Sequence, residues 1–167
     1  MSKILVIIYS ANGKISLTKE EWNKFDPQSV IYHREDGPAL EAIGVYKRWY
    51  INGKHHREDG PAIEYADGVR IWFKDGKQHR EDGPSLYNIN GGSTAQWIVD
   101  GKHHREDGPA IEYAGGDKTW YINGERFFEK DFHKIIKEVD SLDPALGLTD
   151  PREWVRKRFS KKYKKTI

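Results

Sequence analysis

The sequence predicts a mainly β fold: a single antiparallel sheet, wound as a β-meander of repeats about 23 residues long and closed by a helical C-terminal cap. Three observations predict it. One seven-residue string occurs four times: His33-Arg34-Glu35-Asp36-Gly37-Pro38-Ala39, again from His56, from His79 (with Ser85 in the last place) and from His104. The starts lie 23, 23 and 25 residues apart. A fixed period of this size marks an array in which each unit buries its face only against its neighbours. The third observation is an aromatic unit with a tight-turn dipeptide, found at Trp49-Tyr50-Ile51-Asn52-Gly53, Trp72-Phe73-Lys74-Asp75-Gly76, Trp97-Ile98-Val99-Asp100-Gly101 and Trp120-Tyr121-Ile122-Asn123-Gly124. Asn-Gly and Asp-Gly between aromatic and β-branched residues signal a type I′ hairpin, whose two central residues need positive φ.

The elements follow in order. The run Met1-Ser2-Lys3-Ile4-Leu5-Val6-Ile7-Ile8-Tyr9 reads as a strand, broken at Ser10-Ala11-Asn12-Gly13 without a small-residue cleavage site, and so not as a signal peptide. Thr18 with Glu21 three residues on is a capping-box pattern, which predicts a short helix over 19–25. Residues 1–30 thus form a hairpin-and-helix cap over the first sheet edge, an edge that would otherwise invite pairing with another chain. Residues 31–126 are the repeat sheet. Within each period Asp-Gly of the heptad supplies a turn, in which the glycine (Gly60 in the second copy) is expected at positive φ, and Pro opens the next strand because it withholds a ladder donor. In Pro61-Ala62-Ile63-Glu64-Tyr65, Ile63 and Tyr65 share one face and Glu64 the other. A further turn follows at Ala66-Asp67-Gly68.

Residues 127–167 form the helical cap and a basic tail. Phe128, Phe132, Ile135, Ile136 and Val139 make one apolar stripe of a helix over 127–141. Asp150-Pro151-Arg152-Glu153 begins a second helix over about 151–163, on which Trp154, Val155, Arg158 and Phe159 share a face. Residues beyond about 163 have no apolar anchor and are expected to be mobile.

Here the motifs reach a known family. A 23-residue unit of two short antiparallel strands, rich in glycine and aromatics, resembles the MORN repeat. Trp-Tyr-Ile-Asn-Gly-Lys followed by Glu-Tyr-Ala-Asp-Gly looks like its bacterial and viral variant. The resemblance covers residues 31–126, about three-fifths of the chain, and neither end shares it. It implies protein docking, scaffolding or membrane-lipid contact. Variants of this kind are also found among antitoxin-like, phage and large-virus proteins. The implied role is an accessory protein that docks on and inhibits a host protein or toxin.

Composition limits the function classes. Aromatics at 13% are too many for a disordered chain of 32% charged residues. There is no cysteine, hence no disulfide framework and no cysteine metal site, which fits a reducing, cytoplasmic setting. No stretch approaches a membrane span. No Gly-rich phosphate loop, serine elbow or Cys-His pairing appears, so no enzyme and no cofactor are expected. The His55-His56 and His103-His104 pairs do not suit a metal. Equivalent positions two strands apart stand roughly 9.6 Å apart, whereas two nitrogens on one zinc stand no more than about 4 Å apart.

The candidate binding residues fall in two groups. The heptad arginines Arg34, Arg57, Arg80 and Arg105, with Trp49, Trp72, Trp97 and Trp120, read first as a structural ladder of ion pairs between units. An active site is usually built once, and this group is present four times. The alternative is a sponge for an anionic nucleotide, held by the arginines and aromatic faces. The second group is the basic tail. Residues 1–129 carry 17 Lys/Arg against 20 Asp/Glu, a net of −3, and residues 130–167 carry 11 against 6, a net of +5. Arg156, Lys157, Lys161, Lys162, Lys164 and Lys165 crowd the end, and a solvated surface competes there with contact to an acidic protein partner. Nucleic acid and anionic membrane are less favoured, since the body lacks a basic stripe.

Overall fold

The computed structural model describes residues 6–88 and 94–140. Strands β1 (Val6–Ser10) and β2 (Gly13–Leu17) form the opening hairpin, and helix α1 (Lys19–Lys24) follows. Its capping box is formed: the Glu21 amide donates to Thr18 Oγ1, and the Thr18 amide to the Glu21 carboxylate. A 3-10 turn at Pro27–Ser29, not foreseen, starts from the Asp26 carboxylate, which accepts from the Gln28 amide. Ile15, Leu17, Trp22 and Phe25 pack on a core of Val6, Ile8, Tyr32, Leu40 and Tyr50.

The repeat region then runs β3 (Leu40–Ala42), β4 (Tyr46–Arg48), β5 (Tyr50–Ile51), β6 (Lys54–His55), β7 (Ile63–Tyr65), β8 (Arg70–Ile71), β9 (Phe73–Lys74), β10 (Lys77–Gln78), β11 (Leu86–Asn88), β12 (Thr94–Gln96), β13 (Ile98–Val99), β14 (Lys102–His103), β15 (Ile111–Glu112), β16 (Lys118–Ile122) and β17 (Glu125–Phe127). Eleven strands make one antiparallel sheet in the order β17-β16-β15-β12-β11-β8-β7-β4-β3-β1-β2. The predicted meander is there.

The architecture also holds a feature the sequence reading did not contain. At Trp49, Trp72 and Trp97 the strand leaves the main sheet, so β4/β5, β8/β9 and β12/β13 are each one strand bent in two, whereas β16 runs through Trp120 within the main sheet. The outer halves form separate hairpins, β5-β6, β9-β10 and β13-β14. Successive hairpins are stitched by the backbone: the Gly76 amide donates to His55 O, Gly101 to Gln78 O and Gly124 to His103 O. A second row of strands therefore runs beside the main sheet. Its turns are those predicted: Asn52, Asp75, Asp100 and Asn123 have φ of 49–52°, each followed by a positive-φ glycine.

Side chains between the two rows form the core of each unit. Ala39, Ala62, Ser85 and Ala110, at the end of each heptad, are fully buried, which explains why this place takes only a small residue. Ser85 differs for a local reason. Gln78 stands where the units on either side have His55 and His103, and its Nε2 donates to Ser85 Oγ at 3.0 Å, while Ser85 Oγ donates to Gln96 O.

Helix α2 (Glu129–Asp140) agrees with the expectation over 127–141. Phe132 and Ile135 are buried against Ile122 and Trp120. Phe128 departs from the predicted stripe. It precedes the helix, accepts at its carbonyl from the Asp131 and Phe132 amides, and is 75% exposed; Phe127, at the end of β17, is buried instead. The helix expected over 151–163 and the mobility expected beyond 163 lie outside the described residues.

Ser85→Ala should strand the Gln78 amide and cost about 1–2 kcal/mol in chemical denaturation. Adding Gln78→His, which restores the neighbouring units' pair, should recover most of that loss. No recovery would show that Gln78 and Ser85 are not coupled.

Candidate functional site

The heptads line one edge of the molecule as four successive loops. In each, the arginine lies over an aromatic ring eight or more residues back: Arg57 over Trp49, Arg80 over Trp72 and Arg105 over Trp97, with Cζ 4.1, 4.0 and 3.9 Å from the ring centroid. Arg34 has no tryptophan eight residues before it and lies over Tyr9 at 4.0 Å. Nε of each arginine donates to the aspartate two residues on at 2.7 Å, and Nη1 donates to the following proline carbonyl. Arg57 and Arg105 also pair with Glu64 and Glu112. Nε and Nη1 of each arginine, and the ring face that it covers, are therefore engaged within the protein. Bonding to arginine holds Asp36, Asp59 and Asp82 below the usual carboxylate range.

The heptad glycine corrects the expectation of a turn at positive φ. Gly37, Gly60, Gly83 and Gly108 are not among the positive-φ residues. Close approach is the reason for glycine here: an added Cβ would stand 2.8 Å from Arg34 Cζ, 3.1 Å from Arg57, 3.1 Å from Arg80 and 3.0 Å from Arg105. The ladder of ion pairs between units is present only in part. The Arg–Asp pair closes within one loop, Glu58 reaches Lys74 of the next hairpin, and His56 and His79 stand beside Asp75 and Asp100 of the unit that follows. Amides of Asn52, Asp75, Asp100 and Asn123 donate to Nδ1 of His33, His56, His79 and His104, 19–21 residues earlier. Amides of Arg34, Arg57, Arg80 and Arg105 donate to Tyr50, Phe73, Ile98 and Tyr121 carbonyls in the next hairpin. Each heptad is a clasp: its arginine grips the hairpin before it, and its histidine and backbone grip the hairpin after it.

Tyr9 is a site residue that the sequence reading missed. Its amide donates to Ala39 O and its carbonyl accepts from His33, just as Trp49 bonds Ala62 and His56. The signal was present: Tyr9-Ser10-Ala11-Asn12-Gly13-Lys14 has the spacing of Trp49-Tyr50-Ile51-Asn52-Gly53-Lys54. At the far end Trp120 has no heptad after it and packs with Ile122 and Phe132 instead.

Charge on this edge is segregated by depth. The four arginine side chains are only 20–25% exposed, whereas the aspartates they hold are 81–83% exposed. Glu35, Glu58 and Glu81 also face outward, each beside the preceding histidine. Successive heptads enclose three shallow, open concavities, lined in turn by the Arg34 and Arg57 loops, the Arg57 and Arg80 loops, and the Arg80 and Arg105 loops. Trp49, Trp72 and Trp97 each line one of them. The tail residues Arg156, Lys157, Lys161 and Lys162 lie outside the described residues, as do Lys164 and Lys165. Among the described residues, no group of three or more His, Asp or Glu is placed to hold a metal ion, and no helix is long and apolar enough to cross a membrane.

His55 on β6 and His103 on β14 differ from the histidines of the clasps. His55 lies against Tyr50 and Phe73, and burial together with the charge of Arg48 pulls its pKa down to about 4. Burial lowers His103 as well.

No family model, no curated protein and no solved structure matches this chain.

Two outcomes follow. Arg57→Ala should lower stability by about 0.5–2 kcal/mol. Gly60→Ala should destabilise the wild type, yet add little on the Arg57→Ala background, where the obstructing guanidinium is gone. Full additivity in denaturation would place the cost of Gly60→Ala in the backbone instead. The second concerns pH. Between pH 6.5 and about 4, His55 in the unfolded chain takes up a proton that the folded chain refuses. Stability should therefore fall as pH drops through that window, and the depressed aspartates add their loss only at lower pH. His55→Gln, the residue found at position 78, should flatten the fall in melting temperature. An unchanged slope would contradict the assignment.

Proposed function

We propose that this protein is a non-enzymatic protein-docking module, a MORN-like array whose working face is the ridge of heptad loops and whose partner presents a basic surface there. The observation that carries the reading is the depth segregation of charge. Four clasped loops hold their arginines inward and turn their aspartates outward, at a repeat that two strands per unit set at roughly 9.6 Å. A rigid, periodic row of carboxylates is suited to a surface bearing lysines and arginines, where such complementarity governs specificity and association rate. Docking of this kind fits an accessory protein that blocks a host protein or toxin in the cytoplasm. The same engagement of the arginines weighs against the anionic-nucleotide sponge, because Nε, Nη1 and the ring face beneath each guanidinium are already occupied and the outward groups are carboxylates. An acidic partner for the basic tail would be a second contact, on residues outside those described.

Glu35→Gln, Glu58→Gln and Glu81→Gln together leave every arginine clasp in place. Proteins captured from a cell extract by the wild type and by this triple variant would be compared at low and high salt. Basic proteins should be retained by the wild type at low salt and lost, by about tenfold or more in association rate, from the variant. Equal capture by both, with loss only on Arg57→Ala, would move the site to the arginines.

A further inference from the structure

Strand β4 carries one cation that its place in the repeat does not need. Arg48 precedes Trp49, and the equivalent positions before Trp72, Trp97 and Trp120 hold Ile71, Gln96 and Thr119. A neutral side chain therefore suffices to build this place in the fold. Arg48 is partly buried and makes no ion pair among the described residues, although every heptad arginine has a carboxylate. Its surroundings are aromatic: Cζ is 4.4 Å from the Tyr46 ring centroid and 5.9 Å from that of Tyr65, and Nη2 donates to Tyr65 Oη at 3.2 Å. Tyr50 bonds to it as well.

Around this guanidinium three buried polar atoms have no partner: Arg48 Nε, Tyr32 Oη and His55 Nε2. Tyr32 is itself only 8% exposed. The three belong to one cluster. Tyr32 stacks on Tyr50 at 5.0 Å, Tyr50 lies 4.1 Å from His55, and Tyr46, whose ring the Arg48 guanidinium covers, packs against the core cluster that holds Tyr32 and Tyr50. An enclosed cation without a counter-charge is costly, and so is each buried donor left unmade. All three atoms can donate a hydrogen bond: a guanidinium N–H, a phenol O–H and an imidazole N–H. Tyr46 and Tyr65, which flank the guanidinium, also line a shallow concavity at the turn end of the sheet, but its other charged walls are Glu41, Lys47, Glu64 and Arg70, and it is separate from Arg48, Tyr32 and His55.

We infer that Arg48, Tyr32 and His55 form a binding site for one small oxyanion, a carboxylate or a phosphate, held between the two rows in the first full repeat. The site is unique to that repeat because only there do arginine and the tyrosine cluster coincide. It is independent of the acidic ridge and of any protein partner.

The test uses the full chain, with inorganic phosphate and acetate as separate probes and sodium chloride at matched ionic strength as the control. Wild-type melting temperature should rise and saturate with one of the two anions, and titration calorimetry should give one site per chain. Saturation by acetate alone assigns a carboxylate ligand, and by phosphate alone a phosphate ligand. Arg48→Ile, copying Ile71, should abolish the response and, without anion, melt no lower than the wild type. Tyr32→Phe removes one donor and should weaken the apparent affinity about tenfold; it carries the test should Arg48→Ile fold poorly. If neither anion acts beyond the chloride control, or if Tyr32→Phe responds like the wild type, the proposal is overturned and the orphaned atoms are served by water.

Discussion

The stacking of an arginine on the ring of the preceding hairpin is the constraint from which the rest of this protein follows. The strands that carry Trp49, Trp72 and Trp97 are each divided there between the main sheet and the outer row. The bend leaves the ring face uncovered, and the guanidinium closes it. A cation over an indole contributes about 0.5–2 kcal/mol, depending on desolvation, and here the same group also bonds an aspartate and a proline carbonyl. To reach the ring, the arginine must pass so close to its own loop that only glycine fits. Proline then starts the next main-sheet strand, and a small residue seats its first turn in the core. Five of seven heptad positions are thus spoken for by one geometry; the histidine holds the next hairpin, and Glu stands beside that histidine.

The clasp also explains why the array is polar along its length without losing cohesion. Its units share modest apolar cores of Ala62, Ile63, Ala95, Ile98, Ala110 and Ile111, while larger clusters sit only at the two ends. Between the ends, neighbour-to-neighbour hydrogen bonds from histidine and backbone replace much of what a wide apolar face would supply. Such an array is expected to behave as a chain of nearest-neighbour couplings, and its outward carboxylates are a by-product of turning the arginines in.

Much of the fold was legible in the sequence because its signals are local. Asn52-Gly53 and its three relatives announce their turns through the φ values that only a few residues accept, and Thr18 with Glu21 announces a helix start. What stayed hidden depends on contacts between distant residues. Nothing in Trp49 or Trp72 announces that the strand bends there, since both halves alternate as one strand would. Gly60 was read as a turn glycine because proximity to Arg57 has no signature along the chain. Tyr9 was overlooked for a simpler reason: it stands 40 residues from Trp49 and is a different aromatic. Phe128 and Phe127 show the usual uncertainty of a helix start, where a shift of one residue exchanges the buried ring for the exposed one. Of the candidate site, the residues of the clasps were named from their repetition, but the depth at which arginine and aspartate sit is a three-dimensional property.

The most direct test of the clasp is a double-mutant cycle between Arg80 and Trp72 in the middle of the array, with Arg80→Ala, Trp72→Leu and the double variant followed by equilibrium denaturation. A clasp predicts a coupling of about 1 kcal/mol or more, so that the second change costs little once the first is made. Effects that simply add, within about 0.3–0.5 kcal/mol, would mean that arginine and tryptophan stabilise the protein separately, and that the repeats are held together by something other than this contact.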